Sequence, residues 1–68
     1  MKNIINTIVI DPKIMAGKPI IKGTRVTVQH ILGLLAQGIS YNDILKEYPH
    51  IAQSDIYACL FFAQQALP

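Results

Sequence analysis

Three cations stand close together in an otherwise apolar stretch. Lys18, Lys22 and Arg25 punctuate the run Gly17-Lys18-Pro19-Ile20-Ile21-Lys22-Gly23-Thr24-Arg25-Val26-Thr27-Val28. Cations at a turn suit one kind of chemistry, contact with phosphate or carboxylate oxygens, and a guanidinium grips such a group through two N–H donors. Lys18, Lys22, Thr24 and Arg25 are therefore the candidate DNA- or partner-binding residues. Arg25 has a competing structural use, as the partner of Asp11 or a cap on helix carbonyls. Lys22 has the plainer alternative of a solvated surface lysine. The run is not a nucleotide-binding loop, because Pro19 follows Gly17-Lys18 where Ser or Thr would be needed.

The other chemistry-bearing side chains are scattered. His30, His50 and Cys59 lack any paired spacing such as Cys-x-x-Cys, so no metal site is expected. His30 falls at the edge of a helix and His50 in a turn, both read as solvated. Cys59 is the single cysteine and reads as a small buried hydrophobe. No serine, histidine and carboxylate set suggests a triad. No catalytic residue and no cofactor is expected.

Composition sharpens this. The chain has 68 residues, 51% of them hydrophobic and 15% charged. One domain over residues 1–68 is the limit for that length, and it hides only about 60% of the surface its unfolded form exposes. Generous apolar content in so small a volume points to burial against a second copy or a partner. An enzyme pocket of several hundred Å³ would strain such a core. No secretory signal is expected, and the longest apolar run, Ile56 to Ala63, is far short of the roughly 20 residues needed to span a bilayer. The expected location is cytoplasmic, with no membrane partner. The net charge of +2 hides an asymmetry. Lys2, Lys13, Lys18, Lys22 and Arg25 against Asp11 make residues 1–34 +4, and Lys46 against Asp43, Glu47 and Asp55 makes residues 35–68 −2.

These residues must be carried by two kinds of structure. Residues 1–27 are β-rich and residues 28–67 show helical periodicity. Ile4 to Ile10 reads as a strand that Asp11-Pro12 ends. Ile20-Ile21-Lys22 and Arg25-Val26-Thr27 read as a hairpin closed by Gly23-Thr24 in a type II′ turn. Thr27 caps a helix from Val28 to about Gln37, with Val28, Ile31, Leu32 and Leu35 on one face. Gly38 takes its C′ position. Ser40 opens a second helix, Tyr41 to Tyr48, in a capping box with Asp43, and Pro49 stops it. Ser54 caps a third helix from Asp55 to about Ala66, and Ile51 plugs the core between the two. The fold class is mainly α: a three-helix, homeodomain-like or winged-helix-like DNA-binding-type bundle with an N-terminal β arm or hairpin. The second and third helices would form a helix-turn-helix with a long turn.

The third helix does not look like a base reader. No cation follows Lys46, whereas a recognition helix carries Arg, Lys, Asn or Gln toward base edges. Ile56, Cys59, Leu60, Ala63 and Leu67 form a stripe expected to face the core. Tyr57, Phe61 and Phe62 fall outside it, and these three are the candidate dimer or partner interface. The alternative is that Phe61 or Phe62 packs under the N-terminal arm.

Ile10-Asp11-Pro12, the Gly17 to Val26 segment, Ala36-Gln37-Gly38, Ile44-Leu45 and Tyr48-Pro49 together resemble the short prokaryotic domain-of-unknown-function family 433. Gly17, Pro19, Gly23, Thr24, Arg25, Gly38, Tyr48 and Pro49 match its signature. Lys22 stands where Arg is common, and Gly33 where a larger residue is usual. The resemblance implies a homeodomain-like three-helix fold and an antitoxin, encoded beside a PIN-like ribonuclease toxin that it would bind and silence. The expectation is therefore a non-enzymatic antitoxin-like module of a toxin–antitoxin system. It would bind its toxin, and its own operator DNA, as a homodimer. Because the sequence closes just after the third helix, toxin contact is expected to use the folded domain. The alternative is an interaction or dimerisation module that never touches nucleic acid.

Overall fold

A computed structural model of the chain describes residues 7–67. Its elements run β1 (Ile8–Val9), β2 (Ile20–Ile21), α1 (Val28–Ala36), α2 (Tyr41–Glu47) and α3 (Gln53–Ala66). β1 and β2 are antiparallel, with Ile8 opposite Ile21 and Val9 opposite Ile20. The described domain is thus mainly helical, with three helices and a small antiparallel pair before them.

β2 is the middle of this arm. On its other side Ile20 bridges Thr27, Ile21 N–H donates to Val26 O at 3.0 Å, and Val28 N–H donates to Pro19 O at 2.9 Å. Successive strand side chains point to opposite faces. Ile21 joins the helical core, while Ile20 is buried outside that cluster. The expected strand from Ile4 to Ile10 is only Ile8–Val9 within the described residues; residues 4–6 lie outside them.

The turn between Ile21 and Val26 closes one residue earlier than a Gly23-Thr24 type II′ turn. Thr24 N–H donates to Ile21 O at 3.0 Å, which places Lys22 and Gly23 at the centre. Gly23 has φ +81 and Lys22 is not among the positive-φ residues, so the turn is type II. The cause is Thr24. Its hydroxyl donates to Ile21 O at 2.8 Å and accepts from Val26 N–H at 3.0 Å, which ties off the turn at its fourth position.

Helix ends follow local chemistry at three of four capped sites. Thr27 Oγ1 accepts from His30 N–H at 2.9 Å, and Ser40 Oγ accepts from Asp43 N–H at 3.1 Å. Gly38, at φ +85, sends its N–H to Leu35 O, and Ile39 N–H reaches Leu34 O, the paired bonds of a Schellman end. The third helix departs from expectation. It starts at Gln53 after Ala52, and Ser54 does not cap it. The Asp55 carboxylate accepts from Ala52 N–H at 2.9 Å, so the acid anchors the first turn and the start moves two residues earlier. That shortens the turn after Pro49, and Ile51, 5% exposed, plugs the core.

The core is Ile21, Val28, Ile31, Ile44, Ile51, Ile56 and Cys59. Tyr41, Leu45 and Tyr48 of the second helical segment pack partly against it. The expected stripe on α3 is rotated. Leu60 is 38% and Leu67 71% exposed, while Ala58 is fully buried beside Ile56 and Cys59. The buried face of α3 is thus Ile56, Ala58 and Cys59, and α3 packs against α1, α2 and β1. Ile56→Ala should therefore lower unfolding free energy by about 2–5 kcal/mol in urea titrations. Leu60→Ala should stay within about 0.5–1 kcal/mol of wild type.

Candidate binding site

The basic turn is built on a fixed backbone. Lys22 N–H donates to Thr7 O at 2.7 Å, tying the turn to the residue before β1. Lys18, Lys22 and Arg25 are all exposed. Thr24 is different: both of its hydroxyl bonds run inward, so it shapes the turn that carries the cations. Asp11 accepts from Lys13 N–H at 2.9 Å, which gives its carboxylate a local use. Lys2, counted in the basic half, lies outside the described residues.

A second surface lies between α1 and α3. Pro19, Val28, Leu32, Phe62, Ala63 and Leu67 line an apolar groove of about 460 Å³. Pro19 forms one end because the arm's hydrogen bond to Val28 brings it against the start of α1. Of the three aromatics singled out on α3, Phe62 borders this groove and also packs on the core. Tyr57 lies elsewhere: it is half exposed, accepts from Gln53 Nε2 at 2.8 Å, and meets the Tyr41 ring edge-on at 5.9 Å. Phe61 is half-buried. The aromatics therefore split between two faces, and the groove recruits Pro19, Leu32 and Leu67 instead.

The signature residues map to backbone and packing roles. Gly17 and Gly23 have φ of +82 and +81. Met15 and Ala16, at φ 50 and 58, share the left-handed region with Gly17, and a short 3₁₀ turn results. Nothing in a methionine or an alanine announces that conformation. Tyr48 holds His30, its hydroxyl 2.8 Å from Nε2 and the rings edge-on at 6.0 Å. His30 is thus exposed but partnered, across 18 residues of sequence. His50 is exposed, as its turn position suggests.

This arrangement can be set beside known proteins. A family model described as "Protein of unknown function (DUF433)" matches residues 8–63. The chain belongs to this family. It is also similar to the crystal structure of a DUF433 member protein from Anabaena variabilis ATCC 29413, at 26% identity and a TM-score of 0.87. That match covers 96% of this chain and 64% of the other, so the chain spans about two thirds of the length of that protein. No curated protein matches the chain.

Two observations bear on the chemistry open to this DUF433 domain. Among the described residues no group of three or more His, Cys, Asp or Glu is placed to hold a metal ion, and no helix is long and apolar enough to cross a membrane. Cys59 is buried. Burial pushes its thiol from the ordinary 9.0 up to about 11, with the Asp55 charge adding to the rise. A thiol held protonated is a poor nucleophile. The sign for stability follows. The neutral thiol contributes fully below 9.0, and the contribution is lost as pH rises toward about 11. Denaturant midpoints of wild type relative to Cys59→Ala should fall across that interval. Thiol-reactive dye should label native Cys59 only at the rate of unfolding.

Proposed function

We propose that this DUF433 domain is a non-catalytic binding module of the antitoxin type. It pairs with a second copy through the α1–α3 groove, and the pair holds a PIN-like toxin on its folded surface. The basic turn of Lys18, Lys22 and Arg25, doubled by two-fold symmetry, supplies phosphate contacts to operator DNA. The observation that carries this reading is the groove itself, an apolar trough flanked by Leu67 at 71% exposure. A stable interface takes about 800 Å² from each partner. That is about one sixth of the 4833 Å² that this chain exposes, so the pairing face would extend beyond the groove onto the surfaces around it.

The helix-turn-helix part of the reading is modified by α3. In a homeodomain-like arrangement α2 and α3 would be the helix pair and α3 the base reader. The outer surface of α3 offers Gln53, Ser54, Tyr57, Leu60, Gln64 and Gln65, and its first turn holds Asp55. No cation stands there to meet phosphate, so DNA contact falls to the turn and the helix serves protein contact. That same surface favours the second reading, an interaction module with no nucleic-acid role.

Sedimentation equilibrium and promoter shift assays separate these outcomes. Wild type should sediment as a dimer at micromolar concentration. Ala66→Lys, which places a charge on an exposed residue that also lines the groove, should weaken dimerisation about tenfold or more. Lys22→Ala with Arg25→Ala should reduce the salt slope of promoter binding by about four, two contacts from each copy of the pair. A stable wild-type monomer sinks the pairing. Promoter binding and salt slope unchanged in the double variant sink the turn as the DNA contact. Absence of any shift at moderate salt, with co-purification of the product of the adjacent reading frame, supports the second reading.

A further inference from the structure

Arg25 and the signature tyrosine, Tyr48, meet at a place the groove does not include. Met15, Arg25, Val26, Thr27, His30 and Tyr48 line a cleft of about 320 Å³ between the arm, the start of α1 and the end of α2. Three elements therefore each contribute one polar group: Arg25 from the turn, His30 from α1 and Tyr48 from the α2 end. Met15 enters its wall from the left-handed turn, at φ 50. A non-glycine residue in that region costs energy and persists only where the surroundings hold it.

The hydrogen count of the His30–Tyr48 pair sets what this cleft can bind. A neutral imidazole carries one N–H and a phenol one O–H. Their 2.8 Å contact uses one of those two hydrogens. If the phenol donates to Nε2, the Nδ1 hydrogen is left over; if Nε2–H donates, the phenol hydrogen is left over. Either tautomer leaves the pair with one free donor. Arg25, exposed, adds a planar fork of donors. None of the residues lining the cleft is acidic. The positive end of α1, nine residues long and capped at Thr27, adds to the same sign.

We infer that this cleft is a carboxylate-binding site, and that its ligand is an acidic side chain on an otherwise apolar peptide segment of the partner. Charge complementarity and the walls select this over a nucleic acid. Arg25 and the His30–Tyr48 pair supply donors for two carboxylate oxygens, while Met15 and Val26 supply apolar walls for neighbouring side chains. A polyanion held by the turn cations and laid through the cleft would run on past Tyr48. There it meets Glu47, which lines two further clefts that share Tyr48 with this one, one with His50 and one with Asp43. A single carboxylate avoids that repulsion. The site rests on the partner-binding reading but not on the groove.

The test uses the full chain, labelled with ¹⁵N, and three probes. These are N-acetyl-Leu-Glu-Leu-amide, its Gln counterpart, and a short DNA duplex. The Glu peptide should shift the amides of Val26, Thr27, His30 and Tyr48 saturably. The Gln peptide should bind about tenfold more weakly, as should the Glu peptide to Arg25→Gln. Tyr48→Phe, which keeps the ring and removes the hydroxyl, should weaken the Glu peptide about threefold or more. Lys22→Gln, outside the cleft, should leave it unchanged. Ala66→Lys should also leave it unchanged, which separates this site from the groove. Equal binding of the Glu and Gln peptides, no saturable shift, or equal losses for Lys22→Gln and Arg25→Gln each overturn the proposal. So does a duplex that moves the His30 and Tyr48 amides, and not only those of the turn beside Arg25, at lower concentration than the peptide. Because Arg25 is exposed, its variant keeps a dispersed spectrum, so loss of binding reads as loss of the site.

Discussion

Everything in this domain hangs on the packing of α1 against α3. Ile31 on one helix and Ile56 and Cys59 on the other are fully buried, and Ala58 is buried beside them. Val28 and Ile31 of α1 share one core cluster with Ile56 and Cys59 of α3. In a chain of 68 residues that contact is most of the available core. The rest is arranged around it. Ile44 brings in α2, Ile51 closes the turn, and Ile21 draws the middle of the arm onto the helices. With the core committed at the centre of the helix pair, the far end of the same pair has nothing left to fill it. The apolar groove between Leu32 and Phe62 is the consequence.

The arm illustrates the same economy at backbone level. A two-residue strand cannot hold itself in place. β2 persists because Ile20 pairs with Val9 on one side and Thr27 on the other. Thr27 then caps α1 with the hydroxyl that points the other way. One residue therefore ends the arm and starts the first helix, and Arg25, two positions earlier, lines the same cleft as His30. The geometry of the charged turn and the register of the helix are a single decision of the fold.

Much of this was legible in the sequence where the cause was local. Thr27, Ser40 and Gly38 act through bonds to residues within a few positions, and each sits where side-chain type and spacing put it. Ile51 as a core plug was legible for a related reason, being the apolar residue of a polar turn. The start of α3 was not, because Ser54 and Asp55 both suit a helix N-terminus and only the fold chooses between them. The buried face of α3 was misjudged at Leu60 because a helix apolar nearly all round gives no phase. The left-handed Met15-Ala16 turn and the His30–Tyr48 bond were invisible. One runs against the preference of its residues, and the other joins side chains brought together by α1 and α2 packing. Of the candidate site, the cations were plain from their spacing. The groove was not, since Pro19, Leu32, Phe62 and Leu67 meet only in three dimensions.

Family membership tells what this chain is built like, and the groove, the cleft and the basic turn are the surfaces on which the proposed contacts fall. The most direct test of that account is an isotope-filtered NOE experiment on a mixture of labelled and unlabelled chains. The account predicts intermolecular cross-peaks from the Phe62 ring and the Leu67 methyls to Leu32 and Val28. Cross-peaks centred instead on Tyr41 and Tyr57, or none at a concentration where the sample sediments as a dimer, would contradict it.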